Sequence, residues 1–171
     1  MSNWIEQREK EFCGLKGAVV TKWECIEMAL SEDPILWDSP EINYLQCARI
    51  DIQFENRTPL SLITCQNDDE FGLYLNGDLS PVKIPDDPHR IFKYRILHEL
   101  PLGTISEVLP WKNLSNNIAT VYITIDENTI SFIAAEVYQH QDGSFFIREM
   151  DESILVQING QKPIAGMQHI T

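Results

Sequence analysis

The segment "ATVYITIDENTISFIAAEVYQHQDGSFFIREMDESILVQI", residues 119–158, decides the fold class. In "ATVYITI" Val121, Ile123 and Ile125 fall on one face, with the period of two that a strand imposes. "DEN" turns the chain, "TISFIAAEVY" returns, and "QHQDG" turns it again. "SFFIREM" and "SILVQI" then complete a four-stranded meander. Its last hairpin turn is "REMDES", where Asp151 and Ser153 offer side-chain hydrogen bonds that favour reversal. These intervals are too short for a crossover helix, so the strands must pair antiparallel.

The same pattern continues upstream. "CARIDIQF" alternates Ala48, Ile50, Ile52 and Phe54 with Arg49, Asp51 and Gln53, and "LSLITCQ" returns after the turn "ENRTP". "NDDEFGLYLNGDLSPVKIPDDPH" reads mostly as surface loop, with a short strand at 72–75 and a turn signal at Asn76 and Gly77. "RIFKYRIL" and "LPLGTISEVLP" are further strands, the second interrupted at its ends by proline. "AVVTKWECIEMAL" reads as a strand through Ile26. "SEDPILWDSPEIN" reads as a loop whose Ile35, Leu36 and Trp37 tuck back onto the core.

A helix opens the chain. Asn3 and Glu6 have the spacing of a capping box, Ile5, Phe12 and Leu15 share one face, and Gly14 and Gly17 can end it. The sequence therefore predicts an α+β, mainly β fold: an N-terminal helix packed on an antiparallel, meander-rich sheet that is curved or closes into a half-barrel. A length of 171 residues predicts a single domain over 1–171.

Hydrophobic residues make up 43% of the chain and charged residues 23%, as in an ordinary globular protein. The N-terminus "MSNWIEQREKEF" lacks the apolar run of a signal peptide, and no window approaches the roughly 18 apolar residues of a spanning helix. A cytoplasmic location is the expectation. Cys13, Cys25, Cys47 and Cys65 never form C-x-x-C, which favours buried free thiols over a disulfide or metal role.

Charge discriminates most sharply between partners. The chain has 26 Asp and Glu against 13 Lys and Arg, a formal net charge of -13. That excess repels phosphate backbones and anionic lipid, which argues against nucleic acid and membrane, and it favours a basic protein.

Candidate sites follow from parity and loop position. Glu136 shares the inward parity of Ile130, Phe132 and Ala134, so its carboxylate must be paired, hydrogen-bonded or protonated; Arg90, Lys93, Arg95 and Arg148 are the candidate cations. Asp68, Asp69 and Glu70, with Asp86 and Asp87 in the next loop, form a candidate contact surface. Their spacing is not that of a calcium loop, so no metal is expected. Trp111, between a proline and a polar run, is the aromatic expected to be exposed and to anchor a partner. Glu149, Asp151 and Glu152, on an exposed turn, would keep ordinary pKa values and lack the environment general acid catalysis needs.

His89, His98, His140 and His169 are isolated, and no nucleophile elbow, Walker loop or dinucleotide fingerprint occurs. No catalytic residue and no cofactor are therefore expected.

Three phrases taken together, "NDDEFGLYL", "ELPLGTISEVL" and "AAEVY" followed by "MDESILVQI", resemble a group of small acidic uncharacterised bacterial proteins. Some of that group are similar to immunity proteins encoded beside secreted toxins. The resemblance spans roughly residues 45–158 and carries over no site residues. It implies a bacterial cytoplasmic protein that binds and blocks a toxin, in agreement with the charge.

The leading expectation is thus a non-enzymatic acidic inhibitor of a basic protein. The alternative is a small-ligand binder or enzyme with a pocket in the curved sheet, using Glu136. A third reading is an oligomer subunit that pairs an exposed strand edge with its own copy.

Overall fold

The computed structural model describes residues 2–78 and 89–163. Helix α1 (Ser2–Cys13) is followed by β1 (Val19–Met28), β2 (Ser31–Glu32), β3 (Ile35–Leu36), β4 (Leu45–Phe54), β5 (Leu60–Asn67) and β6 (Glu70–Asn76). Then come β7 (Phe92–Ile96), β8 (Gly103–Lys112), β9 (Ile118–Ile125), β10 (Asn128–Gln139) and β11 (Phe145–Ile158).

The nine-stranded sheet has the order β6-β5-β4-β11-β10-β9-β8-β1-β7, while β2 and β3 form a separate ribbon. The pairings are antiparallel, as short connections require of β4–β5, β5–β6, β8–β9, β9–β10 and β10–β11. Because β1 also pairs with β4, strands β4, β11, β10, β9, β8 and β1 make a ring of pairings. The ring is not a barrel. β8 meets β1 only at Val19↔Thr104 and Val20↔Gly103, and β11 meets β4 only through Ile154, Leu155 and Val156.

The main core lies within this curved sheet. Trp23, Ile50, Ile52, Val121, Ile130, Phe132 and Ile154 are fully buried there. The Trp23 ring lies 5.7 Å from that of Phe132, and its Nε1 donates to the Pro101 carbonyl at 2.8 Å. A buried indole needs such an acceptor, since an unmatched N–H would offset much of its burial energy. Helix α1 packs on β6, β8 and β9 with Ile5 and Phe12, while Leu15 just past its end is also buried. The Arg8 guanidinium lies over the rings of Trp4 and Tyr74, at 5.1 and 4.8 Å, which ties the helix to β6. The helix starts at Ser2, so Asn3 stands inside it rather than at its cap, and Gly17, with φ of 90°, follows its end.

A second apolar cluster of Leu30, Ile42, Ala135, Val137 and Leu155 covers part of the opposite face of β10 and β11. Leu30 and Ile42 come from the segment between β1 and β4. That segment is not wholly a loop, since it contains the β2–β3 ribbon. Within it Ile35 stays exposed, and Trp37 is half-buried beneath the Lys93 ammonium, 4.0 Å from its ring.

The largest departure from the sequence reading is at "REMDES". This is not a hairpin turn, and the four-stranded meander is three-stranded. β10 pairs with both halves of a single strand, Ala134 with Ile154 and Ala135 with Glu149, so Met150, Asp151, Glu152 and Ser153 bulge out between them. β10 is 12 residues long and can serve both segments. The bulge absorbs the extra residues through Met150 at φ of 58° and through Asp151, whose Oδ1 accepts from the Glu152 N–H at 2.8 Å.

Smaller differences have simple causes. β1 runs on past Ile26 to Met28. β8 continues through Pro110 because beyond Thr104 the edge of β8 away from β9 does not pair with β1, so the missing N–H forfeits no ladder bond. The β6 strand begins at Glu70, opposite Asn67, which makes Asp68 and Asp69 a two-residue hairpin turn. Asp68 has φ of 56°, a conformation that Asp tolerates in such turns.

Candidate functional site

The residues singled out in the sequence fall into two places. The first is the outer face of β8 and β9. Leu109 lies opposite Tyr122, and Trp111, two residues along the same face, lies opposite Thr120. Trp111 is 58% exposed; Leu109 and Tyr122 are exposed with it, and Leu114 in the following turn is fully so. Trp111 is therefore exposed as expected, although on a strand rather than a loop.

Beside this face lies a cleft of about 460 Å³, bounded by Glu70, Trp111, Leu114, Glu149 and Met150. Asn113 and Asn117 build its rim. Asn113 Oδ1 accepts from the Asn117 N–H at 2.9 Å, and both side-chain amides donate to Glu70 Oε2 at 3.0 Å. Asn67 Nδ2 also donates to Asn117 Oδ1 at 2.9 Å, so the β5–β6 tip is tied to the β8–β9 turn. The amides of Asn113 and Asn117 hold the Glu70 carboxyl below its ordinary value. Glu70 is thus a joint between two hairpins, unlike its neighbours Asp68 and Asp69, which are exposed at the tip. Asp86 and Asp87 lie outside the described residues.

The second place is the end of the core face of β10. Glu136 is 6% exposed and Asp151 is 9% exposed. The Tyr138 hydroxyl lies between them, 2.8 Å from Asp151 Oδ2 and 3.4 Å from Glu136 Oε2. Burial pushes Glu136 up to about 7, and the negative charges of Asp151 and Glu152 add to the effect. Burial also raises Tyr138, together with its bond to Asp151. Tyr138 is held by stacking on Phe146, with ring centres 5.6 Å apart, and Phe146 stacks in turn on His140 at 4.3 Å.

The candidate cations do not reach Glu136. Arg148, opposite it in register, directs its Nε to Asp151 at 3.7 Å. Lys93 and Arg95 instead meet the buried Glu27, at 3.4 and 3.5 Å, and Arg95 also pairs with buried Glu99. Arg90 is exposed. The Glu27–Arg95–Glu99 group balances two desolvated carboxylates and reads as a support for β1 and β7.

Asp151 has more consequence than its place in an acidic run suggested, because the bulge brings it back over Tyr138. Sequence alone could not show this, since the bulge sets which side chains meet. The exposure of Leu109 was detectable in principle from its shared parity with Trp111. All four cysteines are free; Cys25 and Cys47 are buried, Cys65 is half-buried and Cys13 is exposed. Among the described residues no group of His, Cys, Asp and Glu has the arrangement of a metal site. No helix of the described residues is long and apolar enough to cross a membrane. Comparison with protein-family models, with curated proteins and with solved structures gives no match.

Proposed function

We propose that this chain is a non-enzymatic inhibitor-type protein of the bacterial cytoplasm that binds a basic protein, of the kind an immunity protein meets in its toxin. The observation that carries the reading is the exposed apolar face of Leu109, Trp111, Leu114 and Tyr122 set against the acidic cleft. Aromatic residues of this type dominate the centres of protein interfaces. A cluster of them on one face calls for an explanation that a single exposed leucine does not.

Charge selects the partner. The cleft beside Trp111 is lined by Glu70 and Glu149 and, among the described residues, by no lysine, arginine or histidine. Lys112, next in sequence, is paired with Glu9 at 2.9 Å. The net charge of -13 extends the same preference over the whole molecule, raising the encounter rate with a cationic protein and disfavouring acidic ones.

The experiment is affinity capture from host extract on wild-type protein and on Trp111→Ala side by side, eluted with a salt step. The expected result is one basic protein retained near one-to-one by the wild type and lost from Trp111→Ala; once purified, that basic protein rebinds the wild type in isolation. Recovery of the bait alone, or equal recovery on both, would contradict the reading.

A further inference from the structure

A second cleft lies beside Glu136 and Tyr138, between β10 and the segment that follows β1. Its volume is about 330 Å³, the size of a small organic molecule. Met28, Leu30 and Ile91 give it an apolar lining, and Glu32, Asp33 and Glu136 give it three carboxylates. Among the described residues that line it there is no lysine, arginine or histidine.

Glu136 is the decisive group. It is nine-tenths buried, yet among the described residues no cation comes within ion-pair distance, and its one hydrogen bond there is the 3.4 Å contact from Tyr138 to Oε2. Oε1 has no hydrogen-bond partner among the described residues and is open to solvent. A carboxylate with so little solvent and one long hydrogen bond is better matched by a positive charge or a proton than by water alone. Its surroundings are fixed beforehand: Tyr138 is stacked and hydrogen-bonded, and Gln139 Oε1 accepts from Ser31 Oγ at 3.0 Å at the rim. Glu32 and Asp33 are exposed and stand at the entrance.

We infer that this cleft is a binding site for a small organic amine, with the ammonium at Glu136 and the hydrocarbon body against Met28, Leu30 and Ile91. The amine supplies the charge that the protein leaves out. The negative charges of Asp151 and Glu152 act on Glu136; Arg148 is spent on Asp151 and is 70% exposed, so it does not compete for the site. This inference is independent of the protein partner, which is assigned to the other cleft.

The test is a titration of the full chain with n-hexylamine, and with hexan-1-ol as its uncharged counterpart, followed by backbone amide shifts in NMR. Hexylamine is expected to give saturable shifts at Ser31, Glu32, Tyr138 and Gln139, at least about tenfold tighter than the alcohol. Glu136→Gln should weaken the amine about tenfold or more, and Glu32→Gln, at an exposed position where folding is not at stake, should weaken it less. Glu107→Gln, at an exposed position on β8, should leave it unchanged. Shifts that do not saturate by about 10 mM, an alcohol that binds as tightly as the amine, or a Glu136→Gln variant with wild-type affinity would overturn the inference.

Discussion

The Tyr138 hydroxyl donates to Asp151 Oδ2 across 2.8 Å, which joins a residue of β10 to the middle of the bulge in β11. The bond helps the four extra residues remain a bulge between paired segments rather than spring free. Tyr138→Phe keeps the stacking on Phe146 and removes only the donor. It should cost about 1.5–3 kcal/mol, the range for a hydrogen bond to a charged group, and speed amide exchange at Asp151 and Glu152. Urea unfolding and hydrogen exchange measure the two effects; unchanged exchange at the bulge would show that the tyrosine does not hold it.

Glu136 gives stability a definite pH dependence. Its folded pKa, about 7, lies above the ordinary 4.5, so between these values the folded state binds more protons than the unfolded state. The contribution is fully present below about pH 4.5 and is lost as pH rises through 7. The displacement corresponds to about 3–4 kcal/mol. Glu136→Gln should remove it, so the variant gains on the wild type as pH rises from 5 to 8 in paired urea titrations. Parallel curves for the two proteins would place the carboxyl in a wetter setting than the fold describes.

The acidic run at the β5–β6 tip should divide by residue. Asp68→Lys with Asp69→Lys changes exposed side chains beside the cleft, and it should weaken partner binding at least about fivefold while leaving the urea midpoint in place. Glu70→Ala removes the acceptor shared by Asn113 and Asn117 and should accelerate exchange across the β8–β9 turn. Exchange rates at Asn116 and Asn117 distinguish the two outcomes.

Arg95 supports buried charge rather than a site. Arg95→Met removes the cation between Glu27 and Glu99, which are 4% and 3% exposed. Leaving buried carboxylates with less compensation should cost about 3–5 kcal/mol in thermal or urea unfolding. A loss below about 1 kcal/mol would mean that Lys93 alone suffices for Glu27 and that Glu99 is balanced by another group.

Much of the fold was legible because the relevant signals are local. The alternation in "ATVYITI" and "CARIDIQF", the buried face of Ile5, Phe12 and Leu15, and the short connections each follow from the period of one element. "REMDES" was misread because a turn and a wide bulge use the same residues and the same side-chain hydrogen bonds; what separates them is whether β10 is long enough to pair on both sides. The closing of β1 onto β4 is likewise a long-range pairing that neither strand announces.

The sites divide in the same way. The exposure of Trp111 and the burial of Glu136 follow from neighbours in sequence, one beside proline and polar residues, the other on the inward parity of β10. The partner of Glu136 depended on the register of β11. Sequence proposed Arg148 among other cations, whereas the bulge brings in Asp151 through Tyr138. Glu70 and Asp68 look alike as letters, and only the meeting of two hairpins makes one a structural acceptor and leaves the other free at the surface.

Calorimetric titration of the captured basic protein into wild type and Trp111→Ala, at about 50 and 300 mM salt, reads anchoring and charge together. One-to-one binding that weakens at the higher salt, with a loss of about 2 kcal/mol or more for the variant, is expected. Equal affinity for the two proteins, or affinity indifferent to salt, would contradict an acidic surface anchored at Trp111.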